Sequence, residues 1–445
     1  MQPAHSRSRW EASCCIVGGG PAGMMLGYVL ARAGVYVIVL EKHADFFRDF
    51  RGDTIHPSTL DLMAELGVLD EFLRLPHTRV PQGGVVIGEK TFNLVDFRHL
   101  PTRCKFMAMM PQWDFLNFIA TQAKNYPTFC LEMNAEVTDV LQRGNKIVGV
   151  RVVTEHGEVE VFADLIVACD GRTSTVRRQA GMSVREFGVT IDVLWFRLPK
   201  GTDMQQPTLG YLRDGRILIT IDRGDYWQCA SIIPKGEFQE IKAQGLEAFR
   251  DRIIRTAPVL RSVVNELSDW DQVKLLTVRM DRLERWYRPG LLCIGDAAHA
   301  MSPAGGVGVN YAIQDAVATA NLLAAKLRQG DVGLADLRRV QRRREWPVRL
   351  MQAMQATQMA TYGRAYRPGA DPQRILELFS AFAPFKRLFG RVVGLGFRRE
   401  HIRTPDLGAA TPGDGLGANN STVPATGSTA SSKELRRTRL FHALR

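Results

Sequence analysis

Apolar residues along the chain gather into short runs separated by glycine turns, with longer helical stretches between them. Cys14 to Val17 is one such run, Ala22 to Ala33 carries helix-forming residues as far as the stop at Gly34, and Val35 to Leu40 is a second run. This order predicts a β-α-β unit with parallel strands. Ser58 to Leu66 has helical spacing at Leu60, Met63 and Ala64 and ends at Gly67, and Trp113 to Lys124 is a further predicted helix. The intervening stretch from Val80 to Met110 is mixed and strand-rich. Ala135 to Leu141, Lys146 to Thr154 and Glu158 to Phe162 read as strands joined at Arg143-Gly144-Asn145 and His156-Gly157, a meander by turn chemistry. Leu165 to Cys169 is a fully apolar strand leading into Asp170-Gly171.

The stretch from Val189 to Ile233 holds several strand-like runs, Val193 to Leu198, Arg216 to Ile221 and Tyr226 to Ile233, and predicts a separate, mostly antiparallel sheet. Leu291 to Ile294 returns as a buried strand before Gly295-Asp296, and a helix is expected from Gly308 to Leu327. Helical patterns continue from Leu334 to Arg399, interrupted near Pro368 and Pro384. Beyond Thr404 the chain is rich in Gly, Ala, Ser, Thr and Pro and is expected to be disordered, because it has too little apolar surface to offset the entropy of ordering.

Composition narrows the class. A chain of 445 residues, 45% hydrophobic and 23% charged, has the make-up of a globular enzyme and not of a disordered, collagenous or small secreted protein. The formal charge of +12 is concentrated late, at Arg338, Arg339, Arg342, Arg343, Arg344 and the terminal arginines. With no aromatic-basic signature or zinc-knuckle spacing beside it, this excess predicts a solvated helix face and a loose tail, with no nucleic acid partner. The basic helix Leu337 to Met351 has the option of peripheral contact with a membrane or a partner, but Pro347 and its dense arginines favour a solvated face. The seven cysteines form no C-x-x-C pair, and Cys14, Cys15, Cys169, Cys229 and Cys293 are expected as buried free thiols. Neither a leader peptide nor a membrane span is evident, so a cytoplasmic protein is expected. None of the nine histidines has metal-ligand spacing, and no metal site is expected.

The chemistry begins at Gly18-Gly19-Gly20-Pro21-Ala22-Gly23, a G-x-G-x-x-G between a strand and a helix, with Glu41 and Lys42 at the end of the next strand. Missing side chains let a pyrophosphate reach backbone N–H groups at the positive end of a helix, and the carboxylate accepts hydrogen bonds from ribose hydroxyls. Two later segments bear on which dinucleotide is bound. Asp170-Gly171 follows one buried strand, and Gly295-Asp296-Ala297-Ala298-His299 follows another and leads to Ser302-Pro303-Ala304-Gly305-Gly306-Val307-Gly308-Val309-Asn310. A second glycine-rich helix opening, preceded by an acid, suits a long extended cofactor.

With these ordered motifs the chain resembles the class A flavoprotein monooxygenases, the family of 4-hydroxybenzoate hydroxylase and related aromatic hydroxylases, over roughly Ser13 to Leu327. The resemblance implies an α/β fold with a Rossmann-like FAD-binding domain in three parts, 12–78, 105–182 and 282–330. A mostly antiparallel β-sheet substrate domain is interleaved as 79–104 and 183–281, followed by C-terminal helices, 331–403, and a tail, 404–445. It implies bound FAD, with Gly18, Gly20, Pro21, Ala22 and Gly23 at the pyrophosphate, Glu41 and Lys42 at the adenosine ribose, and Val137 at the adenine. Arg51, in Arg51-Gly52-Asp53-Thr54-Ile55-His56-Pro57, is expected to contact the cofactor, with Gln112 and Asp296 near the ribityl chain. The resemblance also implies that Asp170 and Gly171 lie on the path shared by FAD and its electron donor. Gly306, Gly308, Val309 and Asn310 would present a helix N-terminus to the electron-rich edge of the reduced ring, with Pro303 beside the reacting edge. His299 is either a structural part of its motif or a catalytic base.

The implied cycle uses NADH or NADPH to reduce FAD, adds dioxygen to form a flavin hydroperoxide, and transfers its outer oxygen to an electron-rich carbon. The small-molecule substrate, expected to be a phenolic or polyketide-like aromatic compound, should lie between the flavin and the Val193 to Ile233 sheet. Tyr211, Thr220, Tyr226, Trp227 and Gln228 are candidates by region, and Arg197, Arg213, Arg216 and Arg223 are equal candidates for holding a substrate carboxylate. The alternatives are a flavin halogenase, whose W-x-W-x-I-P segment is absent, a flavin-dependent reductase of prenyl chains, and a non-catalytic FAD-binding redox module.

Overall fold

A computed structural model of the chain describes residues 8–47, 54–200, 209–365 and 383–408. Two sheets organise it. The first has strands in the order Tyr287–Arg288, Leu291–Cys293, Gly157–Ala168, Ser8–Val17, Val37–Leu40 and Phe129–Glu132, all parallel from Leu291–Cys293 onward. Helices Pro21–Arg32 and Gly308–Gln329 pack against it over a core that includes Ile16, Val39 and Ile166, each wholly buried. The runs expected as two strands, Glu158 to Phe162 and Leu165 to Cys169, are one twelve-residue strand, Gly157–Ala168. Its first half also pairs antiparallel with Lys146–Thr154, so one strand serves both the meander and the parallel sheet.

The second sheet has seven strands in the order Lys274–Leu276, Ile191–Pro199, Tyr226–Pro234, Arg216–Asp222, Leu209–Arg213, Gln82–Ile87 and Lys90–Asp96. It is antiparallel except where Leu209–Arg213 runs parallel to Gln82–Ile87, which joins the two segments interleaved in sequence. One face carries a separate core of Leu218, Trp227, Cys229, Phe249 and Ile253 beneath helix Leu246–Thr256. The other face looks toward the first sheet, and both sheets belong to one compact unit spanning Met1–Ala409.

The C-terminal helical region contains Leu334–Ala365, with Pro347 inside it, and Ala383–Leu395. Here two expectations are corrected. Arg344 is not on a solvated face: it is wholly buried, its Nε 2.9 Å from Asp315 and its Nη1 3.3 Å from Glu400. Arg343 pairs with the same Glu400 at 2.8 Å. Burying such charges is tolerable only because each has a partner. The expected tail also begins too early at Thr404, since the Leu407 N–H donates to the Arg32 carbonyl at 2.9 Å and Asp406 pairs with Arg32 at 3.1 Å. The rest of the expected tail, 409–445, lies outside the described residues, as do the 366–382 stretch around Pro368 and the 48–53 segment that contains Arg51. The cysteines are free, and burial pushes the thiols of Cys14, Cys15, Cys169, Cys229 and Cys293 above their ordinary range. Among the described residues no helix is long and apolar enough to cross a membrane.

Candidate active site

An elongated cavity of about 1150 Å³ runs between the two sheets. One end is built by the loop after strand Ser8–Val17. Gly18 has φ +105°, and a Cβ there would lie 2.5 Å from the Cys169 carbonyl oxygen, while a Cβ on Gly23 would lie 1.9 Å from that of Gly18. These two glycines let strand, turn and helix touch. Gly20 differs, with open space where its Cβ would be. Gly20, Pro21 and Ala22 line the cavity at a helix start that has no side-chain cap, so backbone N–H groups face whatever binds there. Glu41 is largely buried at the end of the neighbouring strand, its carboxylate accepting from Gly19 N–H at 2.9 Å and His43 N–H at 3.2 Å. Lys42 and Val137 line the same end.

Midway, Asp170, Gly171, Gln112 and Asp296 line the cavity. Asp170 is largely occupied locally: it accepts from the Ser174 hydroxyl and, at 3.1 Å, from Val176 N–H. Burial pushes its carboxyl pKa up, and these bonds pull the other way. Asp296 is a third exposed and stands 3.6 Å from Arg172, a cavity residue with no sequence signature beyond its place after Asp170-Gly171.

Farther along, Pro303, Gly306, Gly308 and Val309 line the cavity where helix Gly308–Gln329 begins without a side-chain cap. The positive end of this helix therefore faces the cavity. Gly306 has φ +61° and would place a Cβ 2.3 Å from the Thr54 hydroxyl. Asn310 is buried and does not line the cavity. Its Oδ1 accepts from His56 N–H at 2.9 Å and the Thr59 hydroxyl at 2.8 Å, and its Nδ2 donates to the Thr54 carbonyl at 3.0 Å. Its side chain thus clamps two loops together, and any contact with a ligand must come from its backbone.

His299 also lies off the cavity. Its Nε2 donates to Asp315 at 2.6 Å, and the same carboxylate accepts from Gly295 N–H at 3.1 Å and from Arg344. Burial alone would raise the pKa of Asp315, but His299 and Arg344 together hold it below the usual carboxylate range. This network braces the Gly295-Asp296 turn from behind, with the His299 ring bonded to Asp315 and not to the cavity.

The far wall corrects the substrate-side candidates. Side chains alternate across a strand, and the register puts Ile217, Ile219 and Ile221 toward the cavity with Ala230, Ile232 and Trp195. Tyr211, Thr220 and Trp227 therefore point the opposite way; Tyr211 and Trp227 belong to the core around Phe249, and Thr220 pairs in register with Cys229. Tyr226 and Gln228 share the cavity-side parity but sit beyond its edge, where Arg197 covers the Tyr226 ring at 5.2 Å and Arg223 Nε donates to Gln228 at 3.1 Å. Arg213 and Arg216 pair at the hairpin end of the sheet, away from the cavity. The sequence reading also missed Met354, Phe385, Phe389 and Val393, which bring the C-terminal helices into the cavity wall. Their signal was present in the i, i+4, i+8 spacing of Phe385, Phe389 and Val393.

A family model described as FAD binding domain matches residues 11–353. The chain belongs to this family, the class A FAD-dependent aromatic hydroxylases. Within the family it is 31% identical over 368 residues to the 6-methylpretetramide 4-monooxygenase of Streptomyces rimosus, covering 80% of this chain and 87% of the relative. It is 25% identical over 342 residues to the 6-hydroxy-3-succinoylpyridine 3-monooxygenase of Pseudomonas putida, covering 73% and 84%. The solved p-nitrophenol 4-monooxygenase of Pseudomonas putida shares the fold, with a TM-score of 0.71 at 21% identity over 88% of this chain and all of that one. The cavity fits the family's cofactor: Gly20 leaves open space at the glycine loop, Glu41 lines the same end at the close of the next strand, and two uncapped helix starts face one continuous space.

Proposed function

We propose that the protein is an FAD-dependent monooxygenase that uses NADH or NADPH and dioxygen to insert one oxygen atom into an aromatic or phenolic small molecule. The observation that carries this reading is the continuity of the cavity from the glycine loop, past the Gly308 helix start, to an apolar sheet wall. Bound FAD would supply hydride acceptance and oxygen activation. Gly20, Pro21 and Ala22 would hold its pyrophosphate and Glu41 its adenosine ribose. Lys42 and Val137 would flank the adenine end, and Gln112 and Asp296 the ribityl chain. The Gly306–Val309 turn would steady negative charge on the ring with backbone N–H groups, leaving Pro303 beside the reacting edge.

Arg172 would meet the donor's phosphates from its place opposite Asp296. The isoleucine wall would keep water from the reacting atoms, so that reduction is not wasted as peroxide. The test is to purify the yellow protein and follow NADH and NADPH oxidation with a panel of phenols. A phenol that both accelerates donor oxidation and gains one oxygen atom supports the reading. Donor oxidation that never yields an oxygenated product identifies a reductase, and no reduction by either donor identifies a redox module.

A further inference from the structure

The stretch 301–306 lines the cavity at every residue, yet little in its own sequence stiffens it. Pro303 has no N–H to bond, and Gly305 and Gly306, at φ +76° and +61°, carry no side chain to lock the turn. The restraint comes from other segments. At the far end the Gly306 carbonyl accepts from the Thr54 hydroxyl at 2.7 Å and from Asn310 Nδ2 at 3.3 Å. At the near end stands Gln355 of helix Leu334–Ala365, wholly buried and behind the cavity wall. Its Oε1 accepts from Ser302 N–H at 3.2 Å, and its Nε2 donates to the Ser302 and Ala304 carbonyls, each at 2.9 Å. The amide thus uses both of its N–H donors and bonds on both sides of Pro303.

Gln352, three residues earlier on the same helix and also buried, serves a different segment. Its Nε2 donates to the Asp281 carbonyl at 2.8 Å and the Ala300 carbonyl at 3.0 Å, and its Oε1 accepts from Arg282 at 2.7 Å. Asp281, Arg282 and Ala300 do not line the cavity. The two glutamines match in chemistry and burial, and only Gln355 is tied to cavity-facing chain.

We propose that Gln355 is a positioning residue for oxygen transfer: it fixes Pro303 at the cavity surface, so that the two electrons taken from each nicotinamide donor end in oxygenated product and water and not in hydrogen peroxide. The inference rests on the monooxygenase reading and deepens it. When transfer succeeds, donor, proton, dioxygen and substrate give oxidised donor, hydroxylated substrate and water. When it fails, donor, proton and dioxygen give oxidised donor and hydrogen peroxide. Both outcomes share the reduction step and part only at the transfer, which is sensitive to a displacement of about 1 Å. A loosened 302–306 turn would leave reduction intact while misplacing the substrate and admitting water. Gln355 opposes that shift, because moving Ser302 or Ala304 breaks hydrogen bonds in a place closed to solvent.

The experiment compares Gln355→Met and Gln352→Met with the natural chain. Methionine keeps the side-chain length and removes the three hydrogen bonds at either position. Urea unfolding should show the two variants destabilised to a similar degree. Hydrogen exchange of the apoprotein should quicken at least about tenfold at 302–306 in Gln355→Met alone, and at Met280–Leu283 in Gln352→Met alone. At saturating FAD, reduction by NADH or NADPH should stay within about twofold of the natural rate in both. With the phenol that gives the natural chain most product, Gln355→Met should turn at least about fivefold less of the oxidised donor into product, the balance appearing as hydrogen peroxide, while Gln352→Met keeps the natural ratio. Equal loss of product in the two variants would reduce Gln355 to a general stabilising contact. Unchanged exchange at 302–306, or an unchanged product ratio in Gln355→Met, would also overturn the proposal. If Gln355→Met does not fold, Gln355→Glu, which keeps the acceptor for Ser302 N–H and at most one donor, carries the same comparison against Gln352→Glu. A natural chain that makes no oxygenated product from any phenol would defeat the monooxygenase reading, whereas a coupled natural chain with an equally coupled Gln355→Met would defeat this inference alone.

Discussion

At the nucleotide end of the cavity, Gly18, Gly20 and Glu41 come from one β-α-β unit and line it directly; at the remote end, Val85, Ile219 and Phe389 come from three elements scattered along the chain. Local geometry governs the first region. The approach of turn and helix leaves no room for a Cβ at Gly23, so residue type there is dictated by contact within a short span, while a Cβ at Gly18 would meet the end of the neighbouring strand at Cys169. Distant pairing governs the second. Which side chains meet there depends on the pairing of Leu209–Arg213 with Gln82–Ile87 and on where the C-terminal helix lies. A residue swap at the nucleotide end should therefore threaten the fold and the flavin together, while one at the remote end should change selectivity and little else.

The largest effect that would sharpen this contrast is expected from Gly23→Ala, whose Cβ meets a backbone carbonyl. It should cost more than about 4 kcal/mol and yield colourless protein, read by absorbance and urea unfolding. Gly20→Ala, facing open space, should keep the fold and weaken only FAD affinity. If Gly23→Ala were to remain yellow and stable, the nucleotide end would not be governed as described.

Next comes the buried network behind the Gly295-Asp296 turn. Arg344→Met leaves Asp315 and Glu400 buried with reduced compensation and should cost about 3–5 kcal/mol in urea unfolding. His299→Gln should lower FAD affinity through the turn while leaving the pH dependence of turnover unshifted; a lost acidic limb in that profile would instead make His299 a base.

Acid should distinguish the two ends more gently. Burial lowers the pKa of His56 to about 4 from its ordinary 6.5, so the unfolded chain takes up a proton before the folded one does. The stability from neutral His56 is full above pH 6.5 and is lost as pH falls from 6.5 to about 4, by up to roughly 3 kcal/mol. Because the ring bonds Val393, hydrogen exchange should show helix Ala383–Leu395 opening in that window before the nucleotide end does. His56→Gln should flatten the dependence.

The smallest effects test parity on the far sheet. Ile219→Ala should raise the KM for an aromatic substrate several-fold with about 1–3 kcal/mol lost in stability, whereas Thr220→Val, facing the helix side, should leave kcat/KM within about twofold. Equal kinetic effects from the two would break the comparison.

Much of the nucleotide end was legible in the residues because a glycine turn, a capless helix and an acid after the next strand each leave a local mark. Gly18, Gly20, Glu41, Asp296 and the Gly306–Val309 turn were all placed on the cavity by motif position, and the structure brings them there. Asn310 and His299 were read from the same motifs but serve behind the surface, because a motif does not say which of its side chains faces inward. At the far sheet, Thr220 and Ile219 are neighbours in sequence and lie on opposite faces, and nothing within their own strand marks which face meets the cavity.

The chain's linear pattern was thus enough to place the β-α-β unit, the glycine turn before its helix and the start of helix Gly308–Gln329, since these depend largely on residues close in the chain. Pairing between remote segments alone settled which face of the antiparallel sheet lines the cavity, why Arg344 is buried, and that Phe385 and Phe389 reach the site. Such choices turn on burial and charge compensation between segments tens to hundreds of residues apart, and no local spacing records them.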